Sequence, residues 1–225
     1  MRLVLRIFPF ATAKTLEIAG IQVWAFRISY VGEQGFELYF EFDSGLALWD
    51  QLFALGVTPI GVETYANSRR LEKSLRLQNA DLETDFNLYE AGLARSVVKK
   101  AAFHGKSAYL AQRALAQQTS YLCTLVMLAN EDAEGTKRYP VGEWPILDAD
   151  TGLVLIDAQG RRSFSTSISY GPSLGQNLLL AYLPADRAKV GETFLLEYFC
   201  EHYPIRVEAV GSTPFLDPEN ERPRS

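Results

Sequence analysis

The sequence has few of the residues that build metal centres or disulfide frameworks. Its 225 residues include two cysteines and two histidines, and their spacing does not match that of a zinc site. Cys200 and His202 lie in an alternating stretch that would place both on one face of a strand. We therefore predict a packing pair there, with reduced thiols, no metal site and no catalytic nucleophile.

Long apolar runs and an excess of basic charge are also missing. No segment approaches the roughly 20 apolar residues of a membrane span, and Arg6 and Pro9 interrupt an N-terminal run too short for the core of a signal peptide. A net charge of -5 and a pI near 5.2 argue against a nucleic-acid-binding surface. We expect a cytoplasmic protein that binds neither membranes nor nucleic acids. The Gly-x-Gly-x-x-Gly fingerprint of dinucleotide-binding domains is absent as well.

The order of the predicted elements indicates an α+β protein with two domains. Strands surround a glycine-bracketed turn over residues 15–42, and apolar spacing predicts helices over 45–56, 60–77 and 104–118. From Ser120 onward, short β-rich runs are separated by Gly, Pro, Asn and Asp, which is typical of a barrel or a sandwich. We predict one domain over residues 1–118 and an all-β domain over 119–225.

The stretch "YVGEQGFELYF", from Tyr30 to Phe40, contains a carboxylate whose purpose is not obvious. Phe36, Leu38, Phe40 and Phe42 alternate with Glu37, Tyr39 and Glu41, which predicts a strand with one buried face. Such a strand needs its apolar face for the core, but it does not need Glu37. The simplest interpretation is a surface glutamate on the polar face of the strand.

The helix predicted over residues 60–77 places Arg69, Lys73 and Arg76 on one face. This basic stripe could attract the carboxylate-rich tail of an anionic ligand. The alternative is a solvated helix face on which Glu72 and Arg76 form an i, i+4 pair, which contributes a few tenths of a kcal/mol.

Several segments, in the same order, resemble the aminomethyltransferase (glycine cleavage T-protein) family. They are "RISYVGEQGFELYF", "NSRRLEKSLRLQNADLETDFNLYEAGLA", "FHGKSAYL" and "SISYGPSLGQNLLLAYLPADRAKVGETF". The ending "PFLDPENERPRS" is most similar to the folate domain at the C-terminus of dimethylglycine and sarcosine dehydrogenases. The resemblance implies a partial folate-binding α/β domain followed by a small C-terminal β-barrel.

The same resemblance implies a site for tetrahydrofolate. In the family, the second glutamate of the signature, here Glu37, binds the pterin ring. The pterin edge presents two parallel N–H donors, and a carboxylate can accept both. Tyr30 and Tyr39 would contact the pterin, with core packing as the rival role for both. Arg70 matches an arginine of the family, and its alternative role is an ion pair with Glu90.

Two further matched positions are expected to be structural. Glu33 lies in the turn, where local backbone bonds are expected. Lys106 matches a lysine at a helix start.

The sequence departs from the family in ways that affect the expected activity. Ala66 and Asn67 stand where glycine-cleavage members have an Arg-Asp pair, and the Asn is similar to the dimethylglycine dehydrogenase branch. Family members begin well upstream, so we expect an N-terminally truncated chain, as a truncated reading frame would produce. No residue here matches the family's catalytic aspartate, so no catalytic residue is assigned and the chain alone is expected to be inactive.

Three functions therefore stay open. The first is tetrahydrofolate-dependent aminomethyl or methylene transfer, with a reduced folate and an upstream FAD-dependent dehydrogenase domain as partners. The second is folate-dependent O- or S-demethylation, and the third is a non-catalytic folate-binding or interaction module. A sheet edge left exposed by absent strands would favour a homo-oligomer.

Overall fold

The computed structural model describes residues 8–224 and divides them into two compact units. The first unit contains the described residues up to Arg70 together with those from Glu219 onward. The second unit is Leu71–Pro218. Most of the interrupted N-terminal apolar run lies outside the described residues. The domain division at residue 118 stays a prediction.

The first unit is built on a three-stranded antiparallel sheet in the order β1-β2-β3. The strands are β1 (Ala13–Ile18), β2 (Ile21–Phe26) and β3 (Glu37–Tyr39). Val23 and Ala25 of β2 are buried, whereas Trp24 between them is exposed. The sheet therefore has one core face and one open face, as period-two alternation predicts.

The strand that carries Glu37 is shorter than predicted. A 3-10 turn, Phe42–Ser44, follows it and leads directly into helix α1 (Gly45–Ala54). The alternation consequently stops after Tyr39, and Phe42, predicted to be buried, is 95% exposed. Helix α1 itself is confirmed, and it ends before Gly56, which has a φ of +82°.

The second helix of the chain, α2, covers residues 62–72 and ends earlier than the predicted residue 77. Its central part, Thr64–Arg69, is π-helical, and its last turn is Arg70–Glu72. Ser74 then adopts a left-handed conformation with φ of +53°. The Leu77 amide donates to the Asp81 carboxylate at 2.8 Å instead of to a helical carbonyl. The left-handed turn and this side-chain acceptor explain why the apolar pattern continues but the helix does not.

The second unit contains helix α3 and six strands. Helix α3 (Lys106–Arg113) confirms the third predicted helix in shortened form. The strands form one sheet in the order β5-β8-β9-β4-β7-β6. They are β4 (Ser120–Met127), β5 (Ile146–Asp148), β6 (Ser165–Gly171), β7 (Gln176–Pro184), β8 (Thr193–Tyr198) and β9 (Glu201–Val210).

Backbone hydrogen bonds join the two outer strands of this sheet. The amides of Ile146 and Ser165 donate to the carbonyls of Ser163 and Trp144 at 3.0 and 2.8 Å. An antiparallel bridge between Pro145 and Phe164 lies in the same place. The connection closes the sheet into a barrel, which removes the exposed edges of an open sheet. The predicted α+β class with a C-terminal β-barrel is confirmed.

The stretch around Cys200 and His202 is a hairpin and not one continuous strand, so the prediction of a packing pair is wrong. Phe199 and Cys200 form the turn between β8 and β9 with φ values of +51° and +62°. Cys200 is exposed there, whereas Cys123 of β4 is buried. Neither cysteine forms a disulfide. Among residues 8–224, no helix has the length and apolar character needed to cross a bilayer.

Arg161 connects the segment before the barrel to the barrel itself. Its guanidinium donates to Glu90 at 2.5 Å and to Asp157 at 2.7 Å. It also lies 4.3 Å from the ring centre of Phe86, which stacks on Tyr182 of β7. Both carboxylates are nearly fully buried. Loss of Arg161 would therefore leave buried charges without a partner, which is strongly destabilising.

We predict that Gly92→Ala destabilises the protein far more than Gly152→Ala. Both glycines have positive φ, +67° and +70°, so both substitutions strain the backbone by about 1–2 kcal/mol. A Cβ on Gly92 would lie 2.5 Å from the carbonyl carbon of Gly211, whereas one on Gly152 meets nothing within 4 Å. The clash adds about 1–3 kcal/mol. Urea unfolding measures the free energy of unfolding of both variants. Equal losses of stability would contradict the close packing of Gly92.

Candidate functional site

Glu37 lies at the start of β3 on the open face of the first unit's sheet. It pairs with Phe26 of β2, and Tyr39 pairs with Trp24. Cross-strand partners and residues two apart on one strand share a face. Glu37, Tyr39, Phe26 and Trp24 therefore lie on the same side, opposite the buried Val23 and Ala25. The side chain of Glu37 is half-buried there.

Two tyrosine hydroxyls donate to the carboxylate of Glu37. The hydroxyl of Tyr39 lies 3.0 Å from Oε2, and that of Tyr65, from helix α2, lies 3.3 Å from Oε1. The hydrogen bond to Glu37, followed by the charge of the same carboxylate, raises the pKa of Tyr39. Burial, followed by the charge of Glu37, raises the pKa of Tyr65. Each oxygen of Glu37 is therefore held by one neutral donor.

Aromatic rings surround this carboxylate on the open face. Tyr30, in the loop after β2, lies 5.4 Å from the ring of Tyr65. Phe26 contacts Tyr39 edge-to-face at 5.1 Å and Trp24 at 5.8 Å. The structure thus brings together three of the predicted site residues, Tyr30, Glu37 and Tyr39. Tyr65 was not predicted, because the sequence shows no link between it and Glu37, 28 residues earlier.

Glu33, the other glutamate of the signature, forms ion pairs and not the backbone contacts predicted for it. Its Oε1 accepts from Arg69 of helix α2 and from Arg222 of the C-terminal tail, each at 2.9 Å. The backbone amide of Glu33 donates locally to the Ser29 hydroxyl at 3.1 Å. Two cations therefore neutralise Glu33, whereas the donors to Glu37 among residues 8–224, Tyr39 and Tyr65, are neutral. This difference separates the two carboxylates chemically.

Arg70, the fourth predicted site residue, lies in helix α2 and is fully buried. Its Nε donates to the carbonyl of Ala66 at 2.7 Å, and its guanidinium also contacts the Asn67 side chain at 3.4 Å. The side chain thus braces the π-helical part of the helix that carries Tyr65. Its geometry supports a positioning role.

The predicted basic stripe does not exist, because Arg76 lies beyond the end of helix α2. Lys73 donates to the carboxylate of Asp217 at 3.0 Å. Arg76 donates to the backbone carbonyls of Ala91, Ser74 and Gly211. Arg69 is paired with Glu33, as described above. These cations hold segments of the chain together and are not presented along one helix face.

Glu90 and Lys106, two further residues matched in the sequence, have polar partners within the second unit. Glu90 is paired with Arg161, and its alternative pairing with Arg70 of the first unit stays a prediction. Burial alone would raise the pKa of Glu90, but hydrogen bonds from Arg161, the Asn87 amide and Thr119 lower it. The ammonium of Lys106 donates to the carbonyls of Lys99, Lys100 and Ala101. Its predicted structural role is confirmed.

One acidic cluster occurs among the described residues. The carboxylates of Asp132, Glu134 and Glu201 lie within 4.8 Å of one another. Asp132 is ion-paired with Arg138 at 2.7 Å and accepts from two amides of its own loop. Its charge is therefore already compensated, and the cluster does not form a candidate cation site.

The chemistry available at Glu37 follows from counting its acceptor positions. An ionised carboxylate offers about four lone-pair sites. Tyr39 and Tyr65 use two of them, which leaves two for a ligand on the open face. A guanidine-like edge with two parallel N–H donors can use these two positions, and the flanking tyrosine rings can contact a planar heterocycle.

Two family models match the chain. The GCVT N-terminal domain matches residues 2–101, and the glycine cleavage T-protein C-terminal barrel domain matches residues 125–217.

Curated relatives and a solved structure agree with these matches. Human mitochondrial dimethylglycine dehydrogenase is 32% identical over 204 residues, which is 88% of this chain and 22% of that protein. The aminomethyltransferase of Moorella thermoacetica is 32% identical over 180 residues, which is 78% of this chain and 44% of that protein. The crystal structure of aminomethyltransferase T from Bartonella henselae has a TM-score of 0.70 at 22% identity, covering 91% of this chain and 52% of that one. The chain thus spans between 22% and 52% of the length of these proteins.

We predict that Glu37→Gln lowers the pKa values of Tyr39 and Tyr65. The carboxylate raises both values because a nearby negative charge disfavours phenolate. The pKa of Tyr65 should fall less than that of Tyr39, because burial is the largest cause of its shift and persists in the variant. Alkaline titration of 13Cζ-labelled tyrosine by NMR measures both, with Tyr39→Phe and Tyr65→Phe for assignment. Glu17→Gln, on the same sheet, is the charge-matched control, and values unmoved by Glu37→Gln would contradict the geometry.

Proposed function

Because the chain belongs to the glycine cleavage T-protein family, we propose that it binds tetrahydrofolate at Glu37 as part of a one-carbon transfer protein. The family resemblance found in the sequence is confirmed, and so is the T-protein fold. Membership implies a folate-dependent one-carbon transfer domain. The observation that carries the assignment to Glu37 is its carboxylate on the open face, with two acceptor positions left.

The contrast between the two signature glutamates favours Glu37 over Glu33 as the pterin ligand. Glu33 already has two guanidinium partners at 2.9 Å, and a ligand would have to displace one of them. Glu37 is held by two hydroxyls, which orient the carboxylate without neutralising it. Each charge-assisted bond to the pterin edge would contribute roughly 1.5–3 kcal/mol.

The other residues of the cluster have supporting roles in this proposal. Tyr30 and Tyr39 would contact the pterin ring, since both lie beside Glu37 or its tyrosine partners. Tyr65 would hold Oε1 in place. Arg70 would act as a positioning residue through helix α2, because its buried guanidinium is bonded to the Ala66 carbonyl. When bound, tetrahydrofolate would carry the one-carbon unit on N5.

The reaction and partners of the whole protein are also proposals. The relatives named dimethylglycine dehydrogenase favour an N-methyl amine as the ultimate one-carbon source, oxidised by an FAD-dependent dehydrogenase component. The relatives named aminomethyltransferase favour an aminomethyl donor. Folate-dependent demethylation of O- or S-methyl groups and non-catalytic folate binding are the alternatives. Among the described residues β1 is an outer strand of its sheet, a position that is consistent with the proposed homo-oligomer.

The folate assignment predicts that Glu37→Gln weakens binding of 5-formyltetrahydrofolate by about tenfold or more. The substitution removes the charge from both bonds to the pterin edge, and 1.4 kcal/mol corresponds to tenfold in Kd. Isothermal titration calorimetry of the full chain measures this directly. Glu17→Gln removes one negative charge from the same sheet and should bind like the unmodified protein.

Three outcomes separate the alternatives. Weakened binding with Glu37→Gln but not with Glu17→Gln supports the pterin site. Binding that is unaffected by Glu37→Gln would show that another group holds the pterin. Absence of binding by the unmodified chain would contradict the proposal that this chain binds folate.

A further inference from the structure

A cavity of about 490 Å³ lies wholly within the second unit. Its volume is in the range of small-molecule sites. The lining comes from the segment before helix α3, the last residue of that helix, the start of β4 and the end of β9. The side chains in this lining that can bond to a ligand are Tyr89, Arg95, Ser96, Arg113, Tyr121 and Ser212.

Gly92 and Gly211 form a wall of this cavity that is fixed by packing. A Cβ on Gly92 would lie 2.5 Å from the carbonyl carbon of Gly211, so the two backbones are in direct contact. Arg76 donates to the carbonyls of Ala91 and Gly211, one on each side of this contact. The wall is therefore in place before a ligand binds, which lowers the ordering cost of binding.

Two arginines give the cavity a positive charge. Arg95 and Arg113 are the charged residues of the described lining, which contains no carboxylate. Within residues 8–224 neither guanidinium forms an ion pair, in contrast to that of Arg161. Tyr109 of helix α3, which ends at Arg113, donates to the Arg95 carbonyl at 3.0 Å and accepts from the Arg95 amide at 3.1 Å. Two cations held on connected segments without an anion favour a negatively charged ligand.

Tyrosine hydroxyls add neutral donors to the same lining. The hydroxyl of Tyr89 is buried and makes no hydrogen bond of standard geometry among the described residues. The ring of Tyr109 lies 5.1 Å away, but its hydroxyl is bonded to the Arg95 backbone. The hydroxyl of Tyr121 accepts from the Gln118 amide at 3.3 Å, which leaves its proton for another acceptor. A buried hydroxyl without a partner is unfavourable, and a ligand oxygen in the cavity would supply that partner.

This set of donors suits a phosphate group better than a carboxylate. A phosphomonoester carries nearly two negative charges at neutral pH and offers three acceptor oxygens, so it can bond to two guanidinium groups and a hydroxyl at once. A carboxylate has a single charge and two oxygens. The cavity also has room for an organic group, and the ring of Tyr121 can contact an aromatic one.

We propose that this cavity binds a small phosphomonoester with an aromatic group, whose phosphate is held by Arg95 and Arg113. The hydroxyl of Tyr89 donates to a further phosphate oxygen, and the ring of Tyr121 contacts the aromatic group. The site does not depend on the folate proposal, because none of the residues that line it belongs to the cluster around Glu37.

Isothermal titration calorimetry of the full chain with phenyl phosphate tests the proposal. We expect Arg95→Gln and Arg113→Gln each to raise the Kd about tenfold or more, because each removes a charge-assisted bond. Tyr89→Phe removes a neutral donor and should raise the Kd about 2- to 12-fold. Both arginines are exposed, so their variants should fold like the unmodified protein, which urea unfolding checks.

Arg162→Gln is the charge-matched control. Arg162 is an exposed arginine of the same unit, but it is not part of the cavity lining. Its substitution removes the same charge and should leave the Kd for phenyl phosphate unchanged. Inorganic phosphate, which lacks the ring, and benzoate, which has a carboxylate in place of the phosphate, are the ligand controls. Both should bind more weakly than phenyl phosphate.

The outcomes separate a phosphate site from general charge attraction. A loss of affinity confined to the cavity variants supports the proposal, whereas equal weakening by Arg162→Gln would overturn it. Benzoate binding as tight as that of phenyl phosphate would overturn the phosphate assignment, and equally tight inorganic phosphate would overturn the aromatic group. Absence of phenyl phosphate binding by the unmodified chain would overturn the whole inference, while the folate assignment, which is tested with a different ligand, would stand.

Discussion

The candidate site depends on how one half-buried carboxylate is satisfied. Glu37 lies on an open sheet face, and each of its carboxylate oxygens accepts one hydrogen bond from a tyrosine hydroxyl. The donors are Tyr39 on its own strand and Tyr65 on helix α2. These bonds fix the orientation of the carboxylate and connect the strand to the helix. Because the donors are neutral, the charge of Glu37 is still available to a ligand. Its neighbour Glu33 forms ion pairs with Arg69 and Arg222, so its charge is used in holding the fold together.

The two signature glutamates thus have different roles, and the sequence pattern does not show which glutamate has which role. Glu33 joins the turn, helix α2 and the C-terminal tail through charge pairs. Glu37 contacts the same helix through one hydrogen bond, from the neutral hydroxyl of Tyr65, which is weaker than a bond between two charged groups. Arg70 braces the π-helical segment between them from inside. Helix α2 therefore forms an ion pair with Glu33 through Arg69 and a hydrogen bond with Glu37 through Tyr65.

Much of this architecture follows from local sequence patterns. Period-two alternation predicted the strands of the first unit, and short β-rich runs between turn residues after Ser120 predicted a barrel or a sandwich. Helix α2 was predicted to be too long because the apolar pattern continues past Glu72, whereas Ser74 and Asp81 bind the backbone differently. The same error created a basic stripe that the structure does not contain.

The site was predictable in part for a related reason. Tyr30, Glu37 and Tyr39 lie within one short stretch, so the motif that identifies the family also brings them together. Tyr65 and the arginine partners of Glu33 come from distant segments, and their contacts depend on tertiary packing. Arg161 was missed likewise, because its carboxylate partner Glu90 lies 71 residues earlier in the chain.

The structure of the chain in complex with 5-formyltetrahydrofolate would test the central claim most directly. Our account predicts that both oxygens of Glu37 lie about 2.7–2.9 Å from the two donor nitrogens of the pterin edge, as in other charge-assisted bonds. The hydroxyls of Tyr39 and Tyr65 should remain bonded to the same carboxylate. A pterin bound at any other carboxylate, or away from the open face of the sheet, would contradict the account.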